Sequence, residues 1–325
     1  MSETRDTILK LKARIGKLVL GQDHLVESML IGLLANGNLL LESLPGLAKT
    51  RAVKALAKNL AADLSRIQFT PDLLPSDVTG AEIYVQTDKG GQFKFQQGPI
   101  FANLLLADEI NRAPAKVQSA LLEAMEERQV TVAGKTYKLP ELFMVLATEN
   151  PIEQEGTYPL PEAQLDRFLM QVVISYPDEA VEGEIIQLNR AENAHKPKDK
   201  APEPEPISQQ AVFDARGEID DIFVSDAAQK YMVDIIFATR FPGRYGDDLG
   251  KLIQVGASPR GSLALDRCSR VRAWLDNESF VTPDHVRSVL HDCLRHRIIL
   301  SYEAISEGVS VDQALDKIVA LVAPV

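Results

Sequence analysis

An apolar segment that runs through a Pro-Gly turn into a helix constrains the fold of this chain more than any other feature. Residues 40–50 read Leu-Leu-Glu-Ser-Leu-Pro-Gly-Leu-Ala-Lys-Thr, and the pattern predicts a helix from Lys49 onwards. In such a strand–turn–helix, backbone N–H groups and the positive end of the helix dipole face an anion. The segment therefore predicts a phosphate cradle made by Pro45, Gly46, Leu47, Ala48, Lys49 and Thr50.

A second apolar segment, residues 104–109, ends in the adjacent carboxylates Asp108 and Glu109. Lys49 would contact the β- and γ-phosphates of ATP, and Thr50 and Asp108 would bind Mg²⁺. Glu109 would polarise a water for attack on the γ-phosphate. Alone, the Pro-Gly turn is equally consistent with a simple connection between a strand and a helix. Together, the two segments predict ATP hydrolysis.

The cradle departs from the usual glycine pattern at two positions. Ser43 and Ala48 stand where that pattern has glycine, whereas Gly46 remains in the turn, where we expect a positive φ. A methyl group at position 48 is compatible with helical dihedral angles, so we expect the loop to close. Ser43 places a side chain where the backbone approaches the phosphates, and it is expected to alter nucleotide affinity or turnover.

Length and composition predict about two domains in a cytoplasmic protein. The chain has 325 residues, and its 35 basic and 46 acidic side chains give a net charge of −11. This balance argues against general affinity for nucleic acid or an anionic membrane. The two cysteines imply no disulfide framework and fit a reducing cytosol. No apolar run approaches the roughly 20 residues of a membrane span.

A proline-rich segment, residues 195–206, separates two parts of different pattern and predicts an extended linker. Before it, short apolar strands alternate with helices, which predicts an α/β core with a mostly parallel sheet. After it, Ser225, Ser258 and Thr282 are candidate helix caps, which predicts a smaller all-α domain. The predicted strands are 38–41, 66–69, 104–107, 142–147 and 171–174. The predicted divisions are a nucleotide-binding core over 1–195, a linker over 196–207 and an all-α domain over 208–325.

Three single residues stand where ATP chemistry could use them. Asn150 follows a predicted strand, and ligands of open sheets lie at the carboxyl ends of strands, so Asn150 is a candidate to orient the attacking water. Arg167 is a second candidate, with a surface salt bridge to Asp166 as the alternative. Arg260 begins a helix, where a cation opposes the dipole, which indicates an anion nearby.

The chain resembles AAA+ ATPases and, among them, the MoxR family. The segments that carry the resemblance follow one another along nearly the whole chain, at 21–22, 44–50, 69–77, 107–114, 147–151, 162–168 and 256–260. The resemblance implies an AAA+ fold with an all-α lid domain. It also implies a sensor-1 role for Asn150, a sensor-2 role in cis for Arg260, and an arginine-finger role for Arg167 towards a neighbouring subunit.

The same resemblance places Gly21 and Gln22 at the adenine pocket and implies partners for the chain. A finger that acts in trans requires assembly, and AAA+ relatives form hexameric rings. MoxR relatives work with proteins that bear von Willebrand factor A domains, often in the maturation of other proteins.

Two predicted hairpins, 83–95 and 130–139, interrupt the α/β pattern. They resemble the inserts that face the pore or the client in this branch of AAA+ proteins. Their lysines are Lys89, Lys94, Lys135 and Lys138. These lysines either protect solvated edge strands or contact a client.

The combined prediction is an ATP-driven, chaperone-like protein that remodels a protein client. One alternative is a nucleotide-gated scaffold with little turnover, which Ser43 favours. The other is a nucleic-acid motor, which only the hairpin lysines favour and the net negative charge opposes.

Overall fold

Strands alternate with helices in the first part of the chain, and helices dominate the second. The structure is a computed structural model, and it describes residues 2–44, 46–87, 90–151, 156–193 and 204–323. The strands are β1 Leu39–Ser43, β2 Leu64–Gln68, β3 Gly80–Thr87, β4 Gly90–Gln97, β5 Leu104–Asp108, β6 Gln129–Val132, β7 Lys135–Lys138, β8 Met144–Glu149, β9 Met170–Ile174, β10 Ile253–Val255 and β11 Ile299–Leu300. The helices are α1 Glu3–Gly16, α2 Asp23–Leu34, α3 Lys49–Asn59, α4 Pro75–Thr79, α5 Ala115–Glu127, α6 Glu162–Leu165, α7 Glu179–Asn193, α8 Gln210–Asp220, α9 Asp226–Arg240, α10 Asp247–Gly250, α11 Pro259–Leu275, α12 Pro283–Leu294, α13 Tyr302–Ser306 and α14 Val311–Leu321.

The central sheet has five parallel strands in the order β2-β5-β8-β1-β9. Strand β5 is buried along its whole length and is apolar up to its last residue, Asp108, because helices cover both faces of the sheet. Each of the five predicted strands is present. The predicted fold class, an α/β core with a mostly parallel sheet followed by an all-α domain, is confirmed.

The sheet separates two apolar clusters. Leu39 and Leu41 of β1 face the cluster that includes α1, α2, α3 and the helices of the second domain, whereas Leu40 faces the cluster that includes α5. Side chains alternate between the faces of a strand, and Leu106 of β5 lies in the first cluster. Alternation therefore directs Asp108, two residues later, towards the face that α3 covers.

The all-α domain forms around helices that begin at the predicted caps. The Ser225 hydroxyl accepts a hydrogen bond from the Ala228 N–H at 3.1 Å, and the Thr282 hydroxyl accepts one from the His285 N–H at 3.4 Å. These caps satisfy N–H groups that the first turn of a helix leaves without a partner. No helix among the described residues combines the length and the apolar character needed to span a bilayer.

The predicted linker over 196–207 lies only partly within the described residues, because 194–203 are outside them. Its described end is attached to the core domain. Ile207 is buried, and its N–H donates to the Asn59 carbonyl at 2.7 Å. The carbonyl of Glu205 accepts a hydrogen bond from Arg14 of α1. The chain thus enters the second domain from a fixed position on the first.

The predicted hairpins are present as β3–β4 and β6–β7. The Phe95 and Tyr137 rings stack with their centroids 4.0 Å apart, and Lys135 lies 3.8 Å from the Glu82 carboxylate. These contacts join the two hairpins into one unit. Lys89, at the tip of the first hairpin, lies outside the described residues.

Candidate active site

The predicted phosphate cradle connects β1 with α3, at the carboxyl edge of the sheet. Gly46 has φ +89°, as the turn requires, whereas Pro45 lies outside the described residues. Lys49 is the first residue of α3, and its ammonium group lies 3.5 Å from the Ser43 carbonyl. The Ser43 side chain is buried, and its hydroxyl donates to the Leu44 carbonyl at 2.9 Å. The serine hydroxyl is therefore bonded within the strand end.

Ala48 adopts a left-handed backbone conformation, with φ 57° and ψ 13°, immediately before α3. The expectation of helical dihedral angles at this position was wrong, although the loop does close. The left-handed region costs a residue with a Cβ about 1 kcal/mol more than glycine, and this explains why the usual pattern has glycine here. Alanine has the smallest side chain that the position can carry besides glycine.

Asp108 ends β5 and is held by two side chains. The Thr148 hydroxyl of β8 donates to its Oδ1 at 2.7 Å, and the Arg66 guanidinium of β2 donates to its Oδ2 at 2.6 Å. Asp108 faces α3, the helix that begins with Lys49 and Thr50. Carboxylate and hydroxyl oxygens are suitable Mg²⁺ ligands, and Mg²⁺ in nucleotide sites needs only one or two carboxylates besides the phosphates. The donor types of Asp108 and Thr50 therefore fit the predicted ion.

Glu109 has a left-handed backbone, with φ 58° and ψ 52°, which is uncommon for a side chain of this size. Its N–H donates to the Thr148 hydroxyl at 2.9 Å. Its Oε2 accepts from Gln68 Nε2 at 2.8 Å and lies 2.9 Å from Arg112 Nε. The carboxylate thus has a defined position at the sheet edge, and strained backbone of this kind is concentrated at functional sites.

A pocket next to the cradle provides an apolar surface with a few polar side chains. Its lining comes from the segment between α1 and α2, from the cradle and α3, and from α7 and the segment before it. The lining residues are Leu18, Val19, Leu20, Gln22, Gly46, Leu47, Ala48, Arg51, Pro177, Ile185, Leu188 and Asn189. Gly21 has φ +69°, and a Cβ there would lie 2.6 Å from the Val181 side chain, so Gly21 permits the close approach of α7. A flat, largely apolar base would fit this pocket.

Asn150 directly follows β8 and is buried at the same edge of the sheet. Its neighbour Glu149 lies opposite Glu42 of β1 in the strand register. Burial, together with the Glu42 carboxylate, raises the pKa of Glu149 to about 7. The carboxyl edge of the sheet therefore carries Lys49, Thr50, Asp108, Glu109 and Asn150.

Arg167 and Arg260 lie together in a different pocket. Arg167 is 2.6 Å from one carboxylate oxygen of Glu126, at the end of α5, and Arg260 binds the other oxygen. The same pocket is lined by Asn36, Gly37 and Asn38, which precede β1, and by Phe168 and Leu169, which precede β9. Both arginines thus lie at the amino edge of the sheet.

The position of Arg260 contradicts its predicted action in cis. The five residues of β1 separate the amino edge from the cradle by roughly 15 Å. Arg260 is also bound to Glu126, beside Arg167, so it does not contact the phosphate cradle of its own chain. The packing of the second domain on the first determines which edge Arg260 faces, and no local sequence signal indicates that packing.

Four polar residues that contact Asp108 or Glu109 were not predicted from the sequence. They are Arg66, Gln68, Arg112 and Thr148. Arg66 and Gln68 lie two residues apart at the end of β2, on the same face of the strand. Gln68 lies opposite Asp108 in the register. Two polar residues at i and i+2, at the carboxyl end of a predicted strand, form a signal that could have identified them.

Comparison with known proteins defines the class of this fold. Residues 38–170 match the ATPase family associated with various cellular activities (AAA), and residues 250–318 match the AAA lid domain. A solved structure of a protein from Cytophaga hutchinsonii, proposed to be an ATPase, superposes with a TM-score of 0.90 at 43% identity. That superposition covers 99% of this chain and 96% of the other. The fold is that of an AAA+ ATPase.

Two curated relatives define the family more narrowly. Chaperone MoxR1 of Mycobacterium tuberculosis is 44% identical over 95% of this chain and 80% of its own length. Protein MoxR of Methylorubrum extorquens is 30% identical over 92% of this chain and 90% of its own length. The chain belongs to the MoxR family of AAA+ ATPases.

Proposed function

We propose that the chain hydrolyses ATP at sites shared between adjacent subunits of a homo-oligomeric ring, most simply a hexamer. The observation that carries the proposal is the position of Arg167 and Arg260 together, at the sheet edge opposite the cradle. An arginine pair that cannot reach its own cradle can complete the site of the next subunit. Repeated head-to-tail contacts of this kind close into a ring when the rotation permits.

Within one subunit, the carboxyl edge of the sheet supplies the groups for binding and attack. The Lys49 ammonium and the N-terminus of α3 neutralise the phosphates, and Leu20, Gln22 and Leu47 line the base pocket. Thr50 and Asp108 would hold Mg²⁺, which when bound would offset negative charge on the phosphates.

Two further residues act on the attacking water. Glu109 accepts a proton from it, and the Asn150 amide orients it. The Gln68 and Arg112 side chains contact the Glu109 carboxylate, so they would orient it or release it when it accepts the proton.

The arginine pair of the neighbouring subunit stabilises the charge that develops on the γ-phosphate. Both guanidiniums bind the Glu126 carboxylate in the isolated chain, so their geometry suits a group with two or more anionic oxygens. Arginine fingers contribute about 10³-fold or more to hydrolysis in comparable systems. ATP turnover would then depend on assembly.

We infer that this turnover drives chaperone-like remodelling of a protein client, and a partner with a von Willebrand factor A domain is the candidate. The name of the relative from M. tuberculosis, a chaperone, supports this class of function. The hairpins offer a contact surface, because Tyr84 and Phe93 are 61% and 69% exposed and pack edge to face. Exposed aromatic side chains of this kind are common in protein interfaces.

ATP hydrolysis per subunit, measured against protein concentration, tests the shared site. We expect specific activity to rise cooperatively with concentration in the wild type. Glu109→Gln and Arg167→Ala should each lose ATP hydrolysis. Glu123→Gln, on the exposed face of α5, is the control and should retain it. If the wild type binds ATP but hydrolyses it no faster than Glu109→Gln at any concentration, the chain is a nucleotide-gated scaffold and the proposal fails.

A further inference from the structure

Arg297 of the second domain is a buried arginine whose bonds hold the segment that carries Arg167. Its side chain is 2% exposed, and its Nε donates to Asp166 Oδ1 at 2.8 Å. Its Nη2 donates to the carbonyls of Asp166 and Phe168 at 3.1 and 2.6 Å, and its Nη1 to that of Leu169 at 3.2 Å. Arg167 is therefore fixed from both sides along the chain. The alternative role of Arg167, a surface salt bridge with Asp166, is not found, because Asp166 pairs with Arg297 and Arg167 pairs with Glu126.

Asp166 also connects this segment with the helix that carries Arg260. Its Oδ2 accepts from the Ser258 hydroxyl at 2.8 Å. The same hydroxyl caps α11 by accepting from the Arg260 N–H at 3.1 Å. One carboxylate thus binds Arg297 through one oxygen and the start of α11 through the other. The backbones of Arg167 and Arg260 are tied to a single ion pair, in which Arg297 is buried and Asp166 is partly exposed.

We propose that Arg297, with Asp166, is a positioning residue for the two arginines that act on the neighbouring subunit. The inference rests on the proposed action of Arg167 and Arg260 in trans. The Arg297–Asp166 pair sets the spacing of the two guanidiniums and transmits displacements of the second domain to both. A misplacement of about 1 Å in a catalytic group can reduce turnover by up to 10²-fold, so positioning matters here.

The geometry requires an arginine at position 297. A planar guanidinium presents five N–H donors in a fixed fork, and here all three nitrogens are used against acceptors of residues 166–169. A lysine would retain the charge but provide one nitrogen, which cannot reach all of these acceptors. Arg297→Lys should therefore loosen the segment without removing the positive charge.

The test compares Arg297→Lys with Arg295→Lys in the full-length protein. Arg295 is also partly buried and also contacts the core, through the Gln171 carbonyl at 2.7 Å, but it does not contact residues 166–169. We expect Arg297→Lys to lower ATP turnover about 10- to 100-fold with unchanged binding of a fluorescent ATP analogue. Arg295→Lys should retain turnover. Asp166→Asn, which keeps the shape of the acceptor, carries the same test if Arg297→Lys does not fold.

Mixed assemblies separate positioning in trans from damage to the variant's own site. Arg297→Lys is mixed with Lys49→Ala as dissociated subunits, and the mixture is then concentrated. About one interface in four then joins an intact cradle to intact arginines, so specific activity should recover to about a quarter of the wild-type value. The inference is overturned if Arg297→Lys and Asp166→Asn both hydrolyse ATP at the wild-type rate. It is also overturned if Arg297→Lys loses ATP turnover and the mixture does not recover it.

A parallel mixture of Arg167→Ala with Lys49→Ala tests the proposed function on which the inference rests. If this mixture does not recover activity, the shared site itself is wrong. If it recovers but the Arg297→Lys mixture does not, the shared site stands and Arg297 has only a structural role.

Discussion

Glu149 and Glu42 show how the strand register sets the charge of a single residue. The two carboxylates end neighbouring parallel strands and lie opposite each other. Gln171 of β9 donates a hydrogen bond to the Glu42 carboxylate at 2.6 Å. Burial then raises the pKa of Glu149 to about 7, and the nearby Glu42 charge adds to the effect. Glu149 therefore changes charge near neutral pH, next to Asn150.

The raised pKa predicts that Glu149→Gln stabilises the nucleotide-free protein at pH 8 more than at pH 5. Between the ordinary pKa of 4.5 and about 7, the folded state binds the proton that the unfolded state has lost, so stability from this group falls as pH rises. The gain at pH 8 should be about 2–3 kcal/mol in the free energy of unfolding, measured with denaturant. Glu123→Gln is the control, and an equal gain at both pH values would contradict the prediction.

At the same scale, the cradle shows what sequence could and could not provide. The positions of Gly46, Lys49 and Thr50 follow from local chemistry, since a turn and a helix start suffice to define them. The left-handed conformation of Ala48 does not follow from local chemistry, because alanine itself favours the right-handed helical region. The closure of the turn imposes the positive φ.

Among the elements, α5 makes an unexpected connection. Its C-terminal turn carries Glu126, which both Arg167 and Arg260 bind in the isolated chain. The Leu122 carbonyl of the same helix also accepts from Arg167, at 3.3 Å. In the proposed ring, the γ-phosphate of the neighbouring subunit would compete with Glu126 for the same guanidiniums.

This competition predicts that Glu126→Gln promotes assembly-dependent ATP hydrolysis. Exposed ion pairs contribute about 0.5–1 kcal/mol, so the protein concentration for half-maximal specific activity should fall about 2- to 5-fold. Glu127→Gln removes the same charge from the same turn and serves as the matched control. A lower maximal activity for Glu126→Gln alone would show instead that Glu126 supports the arginine pair.

Element boundaries were predictable where local signals determine them, and contacts between elements were not. Ser258 was predicted as a cap because serine before proline satisfies the first turn of a helix. The bond from Ser258 to Asp166 and the bonds from Arg297 to residues 166–169 join residues about 90 to 130 positions apart. No periodicity or cap encodes such a pairing, and for that reason the side of the sheet that Arg260 faces could not be predicted.

At the scale of the whole molecule, the two domains share one apolar cluster. It includes Leu11 of α1 and Leu33 of α2, and it continues through Ile236 of α9 to Leu315 of α14. Arg295 and Arg297 add polar bonds between the domains. Because this cluster contains buried side chains of both domains, opening the interface would expose apolar surface from both. The second domain is thus coupled to the sheet in the nucleotide-free chain.

The shared cluster predicts a single calorimetric unfolding transition for the nucleotide-free protein, since unfolding of either domain would expose the part of this cluster that the other domain contributes. Leu315→Ala, at a fully buried position of α14, should shift the whole transition down by about 2–5 kcal/mol without splitting it. Leu321→Ala in the same helix, where the side chain is 50% exposed, should have little effect. Two transitions in Leu315→Ala, with the upper one unmoved, would show that the domains unfold independently and that displacement of the second domain need not move Arg167.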